Sequence, residues 1–535
     1  MLFHSGVFIF GFLPIVFFGY AFAQRIGGAV TLGWLLLSSA FFYGWWNPAF
    51  LILIIVSVLF NFTIGRQLQL RPKRWLLIAG IAANLVALGY FKYRGFFAEI
   101  LASLTASDYH IAALVLPLGI SFFSFQQISY LIDAYNGRAK PNTLPEYALF
   151  VMFFPHLIAG PIVHHAEILP QIVKLKKPNI LMRSDVTVGL MLFMAGLIKK
   201  AVFADHLDLY STPLFAAAEA PTNAISFFEA WTGALTYTLQ IYFDFSGYTD
   251  MAIGLARMFS IHFPVNFDSP FKAKSIIDFW QRWHITMTRF FMGYVYNPIV
   301  THITRKRAER GLPTSQKMLS KPGLFLMLLA WPTMLTMFLV GLWHGAAWNF
   351  MFFGLLNGVY LLINHAFRIW KIKRGHKTEN ANPVVTILSW AITFIAVMVG
   401  FVIFRAERMH GGINILLGMT GLEGRLIIPP AYAPVLKSFS HVFDHIPFAP
   451  LPYFPGKEAL VWAGVLMFVV LAMPSTQNVM ARITGWLNCC SAAFTNHEEE
   501  LAWSAVLFFA LGLALMAIMP FFSHVDLQPF IYFQF

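Results

Sequence analysis

The sequence predicts an all-α, polytopic membrane protein. Three observations carry that prediction. Hydrophobic residues make up 58% of the 535 residues and charged residues only 11%, where a soluble globular chain carries roughly 25% charged. Fifty-seven Phe and 15 Trp leave too little polar surface to dissolve a compact particle in water. The apolar runs are also longer than a buried core helix requires. Disorder, a coiled coil and a secreted disulfide scaffold are excluded. The formal charge of +13 fits basic residues flanking membrane spans. With no aromatic-interleaved basic groove or nucleic-acid motif, it does not point to nucleic acid.

The spans are expected at about 3–23, 29–46, 49–64, 75–91, 111–132, 148–163, 186–204, 225–256, 323–341, 343–365, 384–404, 458–474 and 500–520. The first has no basic leader and reads as a span, not a removed signal peptide. The stretch 148–163 holds two prolines and a glycine and reads as re-entrant. Irregular backbone at that depth is tolerated only inside protein or beside water. The stretch 276–298 is helical in period but too polar to face lipid. A long loop follows at 405–457, rich in Pro and aromatics. Cys489 and Cys490 are adjacent, a strained geometry for a disulfide, with lipidation as the alternative use.

Most Lys and Arg fall in Arg66–Arg74, Arg138/Lys140, Lys174–Arg183, 257–321 and Arg368–Lys377. The positive-inside rule puts these segments in the cytoplasm. The 405–457 loop and both termini are then on the opposite, periplasmic side. Lys199 and Lys200 sit near a span end, where long side chains can snorkel to water.

Three blocks between 240 and 350 carry the polar chemistry. The first holds Asp244, Tyr248 and Asp250 in an apolar run. Carboxylates there face protein or a water-filled cavity, so Asp244 and Tyr248 either line a substrate channel or tie helices together. The second runs from Asn266 through Lys272, Lys274, Asp278, Arg282 and His284 to Arg289. Its apolar residues repeat at helical spacing and aim His284 at packed protein, where a lone histidine is more often a satisfied core residue than a functional one. The four cations suit a polyanion such as a nucleotide phosphate, or else a lipid-headgroup face. The third is Gly341-Leu-Trp343-His344-Gly345-Ala346-Ala347. Two apolar segments meet at His344, and the small residues after it let a ligand approach. An imidazole in apolar surroundings is neutral and can accept a proton near pH 7. His164-His165 could bind a metal, but no third ligand stands at motif spacing. His156 would line the re-entrant segment. Esterase, Walker, dinucleotide-fold and zinc-protease motifs do not occur.

The blocks PHLIAGPIVHHAEILPQ (155–171), QIYFDFSGYTDMAIGLARM (240–258), NFDSPFKAKSIIDFWQRWHIT (266–286) and GLWHGAAWNF (341–350) resemble the membrane-bound O-acyltransferase (MBOAT) family. The tail Pro529–Phe535 is similar to that of its bacterial alginate O-acetyltransferase branch. The resemblance spans nearly the whole chain and implies a single domain over 1–535. It implies a ring of helices around a thin core, with a funnel outward and a passage to the cytosol. It makes His344 the essential active-site residue and His284 a second functional one. Asn266 and Trp343 would join Asp244 and Tyr248 along the substrate channel. Lys272, Lys274, Arg282 and Arg289 would hold the phosphates of acetyl-CoA, used as acyl donor with no resident cofactor or metal. The acceptor would be a periplasmic SGNH-type partner, or an exopolysaccharide of alginate or cellulose type within a polysaccharide synthesis or secretion complex. The run Met292–Ile299 lacks the Arg-Asp pair and double glycine of that branch, which speaks against alginate itself. A transporter or export pore, or a non-catalytic scaffold docking through 405–457, are the competing readings.

Overall fold

A computed structural model describes residues 1–105, 114–177, 183–314, 320–375, 382–430, 447–454, 456–482 and 530. The expected span 500–520, Cys489 and Cys490 lie outside the described residues, as does the tail apart from Phe530. Among the described residues the all-α class holds, with one isolated bridge between Ile428 and Phe448 and no strand. Among the described residues seven helices are long and apolar enough to cross a bilayer, or eight if the bent pair Gly456–Ala472 and Thr476–Arg482 is one span.

The chain opens with α1 (Val7–Ile26), α2 (Gly28–Gly44), α3 (Pro48–Leu70) and α4 (Arg74–Thr105). The N-cap of α3 is Asn47, whose side chain accepts from the Ala49 amide, with Pro48 at the first helical position; both are strong start signals. Next comes α5 (Ile120–Tyr135), buried on nearly every side. The predicted re-entrant stretch is irregular. Helix α6 (Leu144–Met152) starts from a Thr143/Glu146 capping box and breaks at Phe153. A single turn, Phe154–Leu157, and extended backbone then lead to α7 (His165–Lys174). This non-helical backbone is enclosed by protein throughout.

Helix α8 (Ser184–Ala218) packs along α9 (Phe227–Met258), which starts at a Ser226/Glu229 capping box and is buried all round for most of its 32 residues. A helix apolar on every face belongs in a core. The contact is backbone against backbone. A Cβ at Gly189 would come within 2.7 Å of the Gly254 carbonyl oxygen, and one at Gly247 within 2.7 Å of the Gly196 oxygen. The glycines repeat every seven residues on both antiparallel helices, so two pairs meet two turns apart.

Above these glycines, Lys200 meets Asp205 at 2.7 Å and Asp244 at 2.6 Å, and Lys199 meets Asp250 at 2.7 Å. The expected snorkelling of the two lysines does not occur. Both sit in a π turn, Lys199–Ala204, whose side chains face α9, and its carboxylates capture them.

The stretch 276–298 is not one helix. It divides into α10 (Ile276–Arg282), α11 (Ile285–Phe291), a π turn Met292–Tyr296, and the exposed basic α12 (Asn297–Glu309). Two backbone bonds made across to 266–268 break it: Asp268 N–H donates to Arg282 O and Ile285 N–H to Asn266 O. The expected i, i+4 pair survives, with Arg282 and Asp278 at 2.6 Å.

Helices α13 (Pro322–His344), α14 (Trp348–Lys373) and α15 (Pro383–Arg405) complete the long apolar set. The 405–457 segment is not all loop. It contains α16 (Met409–Thr420), whose Gly411, Gly412 and Gly418 face are buried. Its glycine-rich sequence hides the helix, yet those glycines permit its close approach; a Cβ at Gly418 would meet Ile225 O at 2.8 Å. Residues 431–446 and 455 lie outside the description. Helix α17 (Gly456–Ala472) follows.

Replacing Lys200 by Met leaves two buried carboxylates facing each other. Breaking a buried pair from one side costs about 3–5 kcal/mol, so Lys200→Met is expected to melt well below the parent in detergent. Adding Asp205→Asn and Asp244→Asn should recover most of the loss. An unchanged melting temperature in the single variant would show that the pair does not hold the helices.

Candidate active site

His284 stands between α10 and α11 with φ 45°, a left-handed conformation that is uncommon outside glycine. Asn266 fixes its chemistry. The Asn266 Oδ1 atom accepts from the Thr286 backbone N–H at 3.2 Å, from Thr286 Oγ1 at 2.8 Å, and from His284 Nδ1 at 3.1 Å. An amide N–H can only donate, so the atom it meets is the oxygen, and His284 Nδ1 carries the proton. Nε2 then bears the lone pair. It is buried without a hydrogen-bond partner among the described residues. Burial pushes this imidazole down to about 3, so it is neutral. Phe245 meets the ring edge-on at 4.7 Å and Trp343 lies at 5.8 Å.

His344 ends α13, and the Gly345–Ala347 stretch is extended before α14 begins. The hairpin is tight because Gly341 and Gly354 face each other; a Cβ on either would lie 3.1 Å from the other's Cα. Asn349 ties the start of α14 to the end of α15 by donating to Ala406 O at 2.7 Å. Trp343 packs against His344 at 4.8 Å and His284 at 5.8 Å, so one indole joins the two imidazoles. Its Nε1–H is buried without a partner among the described residues. Phe404 stands edge-on to His344 at 5.1 Å.

Trp343 and His344 line a cavity of about 240 Å³ shared with Trp46, Lys92, Ser121 and Ala159. A second cavity, about 660 Å³, opens on Gly345, Ala346, Ala347, Lys92, Arg405 and Glu407. The small residues after His344 therefore do border open space.

The other expected site residues are dispersed. Asp244 is held by Lys200. Tyr248 stacks between Phe3 at 5.0 Å and Phe530 at 4.6 Å. Asp244 thus pairs across to α8, and Tyr248 packs among aromatic rings. Asn266 positions His284. Lys272 donates to Met473 O at 2.7 Å, Lys274 is exposed, and Arg282 pairs with Asp278. Arg289 makes a bidentate pair with Glu167, at 2.6 and 2.9 Å, and lines a cavity of about 400 Å³.

That cavity holds what the spacing argument missed. Asp133 of α5 supplies the third polar group beside His164 and His165, and Tyr294 joins them. Tyr294 O–H donates to Asp133 Oδ2 at 2.5 Å, His164 Nε2 lies 3.0 Å from the same oxygen, and His164 Nε2 also contacts Tyr294 OH. The ligand atoms of Asp133, His164 and His165 fall within 4.8 Å of one another, close enough to suggest a cation. However, the Ala166 amide donates to His164 Nδ1 at 3.2 Å. That leaves the proton on Nε2, where it bonds Asp133, so this tautomer offers no lone pair to a metal there. His165 is buried with neither ring nitrogen hydrogen-bonded among the described residues, its Nδ1 lying 3.9 Å from Asp133 Oδ2. Burial, aided by His164 and opposed by Asp133, pushes it down to about 4. The available sequence signal was Asp133, a lone carboxylate in the apolar run of α5.

The two ends of the site are connected. Ser121 near the start of α5 lines the smaller cavity by His344, while Asp133 near its end lines the cavity by His164. Twelve residues of helix separate them by roughly 18 Å. Thr286 lines the cavity by His164 and bonds Asn266, which holds His284.

Over residues 31–312 the chain matches the membrane-bound O-acyltransferase family, a range that includes His284 and stops short of His344. It is similar to the peptidoglycan O-acetyltransferase of Helicobacter pylori, 37% identical over 79% of this chain and 80% of that protein. It is similar to a probable alginate O-acetylase of Pseudomonas putida, 38% identical over 77% and 78%. A more distant likeness links it to the teichoic acid D-alanyltransferase of Bacillus subtilis, 28% identical over 56% and 70%.

His165 and His284 give a pH expectation. Both are depressed in the folded state, to about 4 and about 3, against roughly 6.5 unfolded. Between those values the unfolded chain binds more protons, so stability rises with pH and levels off above about 6.5. As pH falls from 6.5, each group removes about 1.4 kcal/mol per unit. Melting in detergent at pH 5 should therefore fall below that at pH 7.5, and His165→Gln should flatten the dependence. A variant with the parent's slope would contradict the assignment.

Proposed function

The chain belongs to the membrane-bound O-acyltransferase family, and from that premise we propose that it carries an acetyl group from cytosolic acetyl-CoA to a hydroxyl across the bacterial inner membrane. The observation that carries the reading is the pair His284 and His344, joined through Trp343 at the end of a cavity. By the positive-inside rule the basic face is cytosolic. The cavity of Asp133, His164 and Arg289 then opens to the cytosol, and those beside His344 open to the periplasm, where both termini also lie.

His344 is the general base. It takes the proton from the acceptor hydroxyl as the oxygen attacks the thioester carbonyl carbon. The tetrahedral intermediate carries its negative charge on the former carbonyl oxygen. Trp343 Nε1–H, with no partner among the described residues, is the nearby donor suited to that charge. Collapse breaks the carbon–sulfur bond, and the proton on His344 passes to the leaving thiolate. His284 has a different task. Its Nε2 is an acceptor, so it holds a hydroxyl or amide N–H of the substrates in place and does not stabilise the oxyanion.

Donor phosphates are met by Arg289 and Arg138 at the cytosolic cavity, with Lys272, Lys274 and Arg282 as further cations of the basic region. The acceptor is a polysaccharide hydroxyl, as the names of the peptidoglycan and alginate relatives suggest, or the serine of a periplasmic SGNH-type partner that relays the group. Either arrangement sits within a polysaccharide synthesis or secretion complex.

The test uses membranes holding the full chain and acetyl-CoA labelled in the acetyl group. His344→Ala at normal abundance should reduce transfer by about 10²–10⁴-fold, the range for loss of a general base. His284→Ala should also reduce it. Undiminished transfer in His344→Ala would end the proposal, and no transfer by the parent protein would favour an export pore.

A further inference from the structure

Helix α13 ends in mid-protein, at the residue assigned the proton transfer. The last four carbonyls of any helix lack intrahelical partners. Here these belong to Gly341, Leu342, Trp343 and His344, and three are taken by α4. Lys92 Nζ donates to Trp343 O at 2.6 Å and to His344 O at 3.0 Å, and Tyr93 OH donates to Leu342 O at 2.7 Å. The two donors are adjacent in sequence and lie in the π turn Gly89–Tyr93. Neighbours in an ideal α-helix point about 100° apart. The wider π turn narrows that angle, and from it both reach one helix end. A cation there also meets the negative end of the helix dipole.

Lys92 lines both cavities beside His344. The ammonium has three protons, and two are given to the helix end. Nothing in the assigned chemistry uses this residue, yet it is the cation in contact with the backbone of the base.

We propose that Lys92 is a positioning residue for the acyl-transfer site: it clamps the final turn of α13 and so sets where the His344 imidazole stands relative to the reacting carbonyl. The inference rests on the proposed role of His344. Displacing a reacting group by about 1 Å can cost about 10²-fold in rate, so the clamp acts on kcat and not on substrate binding.

The test compares Lys92→Met, Lys92→Arg and Tyr93→Phe with the parent and His344→Ala, using the purified full chain and acetyl-CoA, with melting temperatures measured alongside. Lys92→Met should lower kcat by about 10–100-fold with KM changed less than about twofold. Lys92→Arg, which keeps the cation and its donors, should recover at least about tenfold of that. Tyr93→Phe should lose about fivefold, the value of one hydrogen bond. Activity of Lys92→Met near the parent's, a loss confined to KM, or losses in all three that merely follow falling melting temperature would each overturn the proposal. If Lys92→Met is as active as the parent while His344→Ala is inactive, the positioning role fails and the general base stands. If His344→Ala keeps its activity, the underlying reading fails.

Discussion

Two lysines paired between two helices, one of them fully buried, hold α8 and α9 in register. Lys200 sits between Asp205 and Asp244, and Lys199 on Asp250, with facing glycines beneath them. A charge taken out of water is costly unless well paired, so α8 and α9 cannot slide by one turn without stranding a lysine or a carboxylate. Such pairs are weak devices for stability and strong ones for specificity. The glycine pairs add a second constraint, because any other register places side chains where backbone now meets backbone.

The site inherits that register. Helix α9 brings Phe245 edge-on to His284 and Thr249 to the Asn266 side chain. Asn266 then fixes the His284 tautomer, and Thr286 carries the same network to the wall of the Asp133 cavity. On the other side α4 reaches the end of α13 and the two cavities by His344. Between the two ends lie Trp343 Nε1 and His284 Nε2, one donor and one acceptor, both enclosed and without partners among the described residues. A buried polar atom left unpaired costs about 1–3 kcal/mol. Two of opposite kind in neighbouring rings match a substrate that brings one acceptor and one donor.

Several residues were legible for local reasons. His284 and His344 stood out because imidazoles in apolar runs with small or aromatic neighbours are rare and informative. The irregular stretch around Phe153 was legible from its prolines and glycine. The break at His284 was not, because the period of Phe279, Trp280, Met287 and Phe290 continues across it, and only the bonds to 266–268 interrupt the helix. Lys199 and Lys200 read as span-end residues because Asp244 and Asp250, which reach them from α9, lie 44 and 51 positions away. The four cations expected to act together share a charge and a stretch of sequence, yet Lys272, Arg282 and Arg289 each find a different neighbour and Lys274 is exposed. Asp133, His164 and Tyr294 were missed for the converse reason, being far apart in the chain and adjacent in space.

The sequence by itself determined that the chain is helical, lies in a membrane, resembles the acyltransferase family and carries two conspicuous imidazoles, since hydropathy, breakers and motif residues are properties of single segments. The tertiary structure decided which polar groups meet. Tautomer, ion-pair partner, the capping of α13 by Lys92 and Tyr93, and the placing of cavities at the two ends of α5 all depend on distances between segments. No local pattern encodes those distances, because they are set by how whole helices pack against one another.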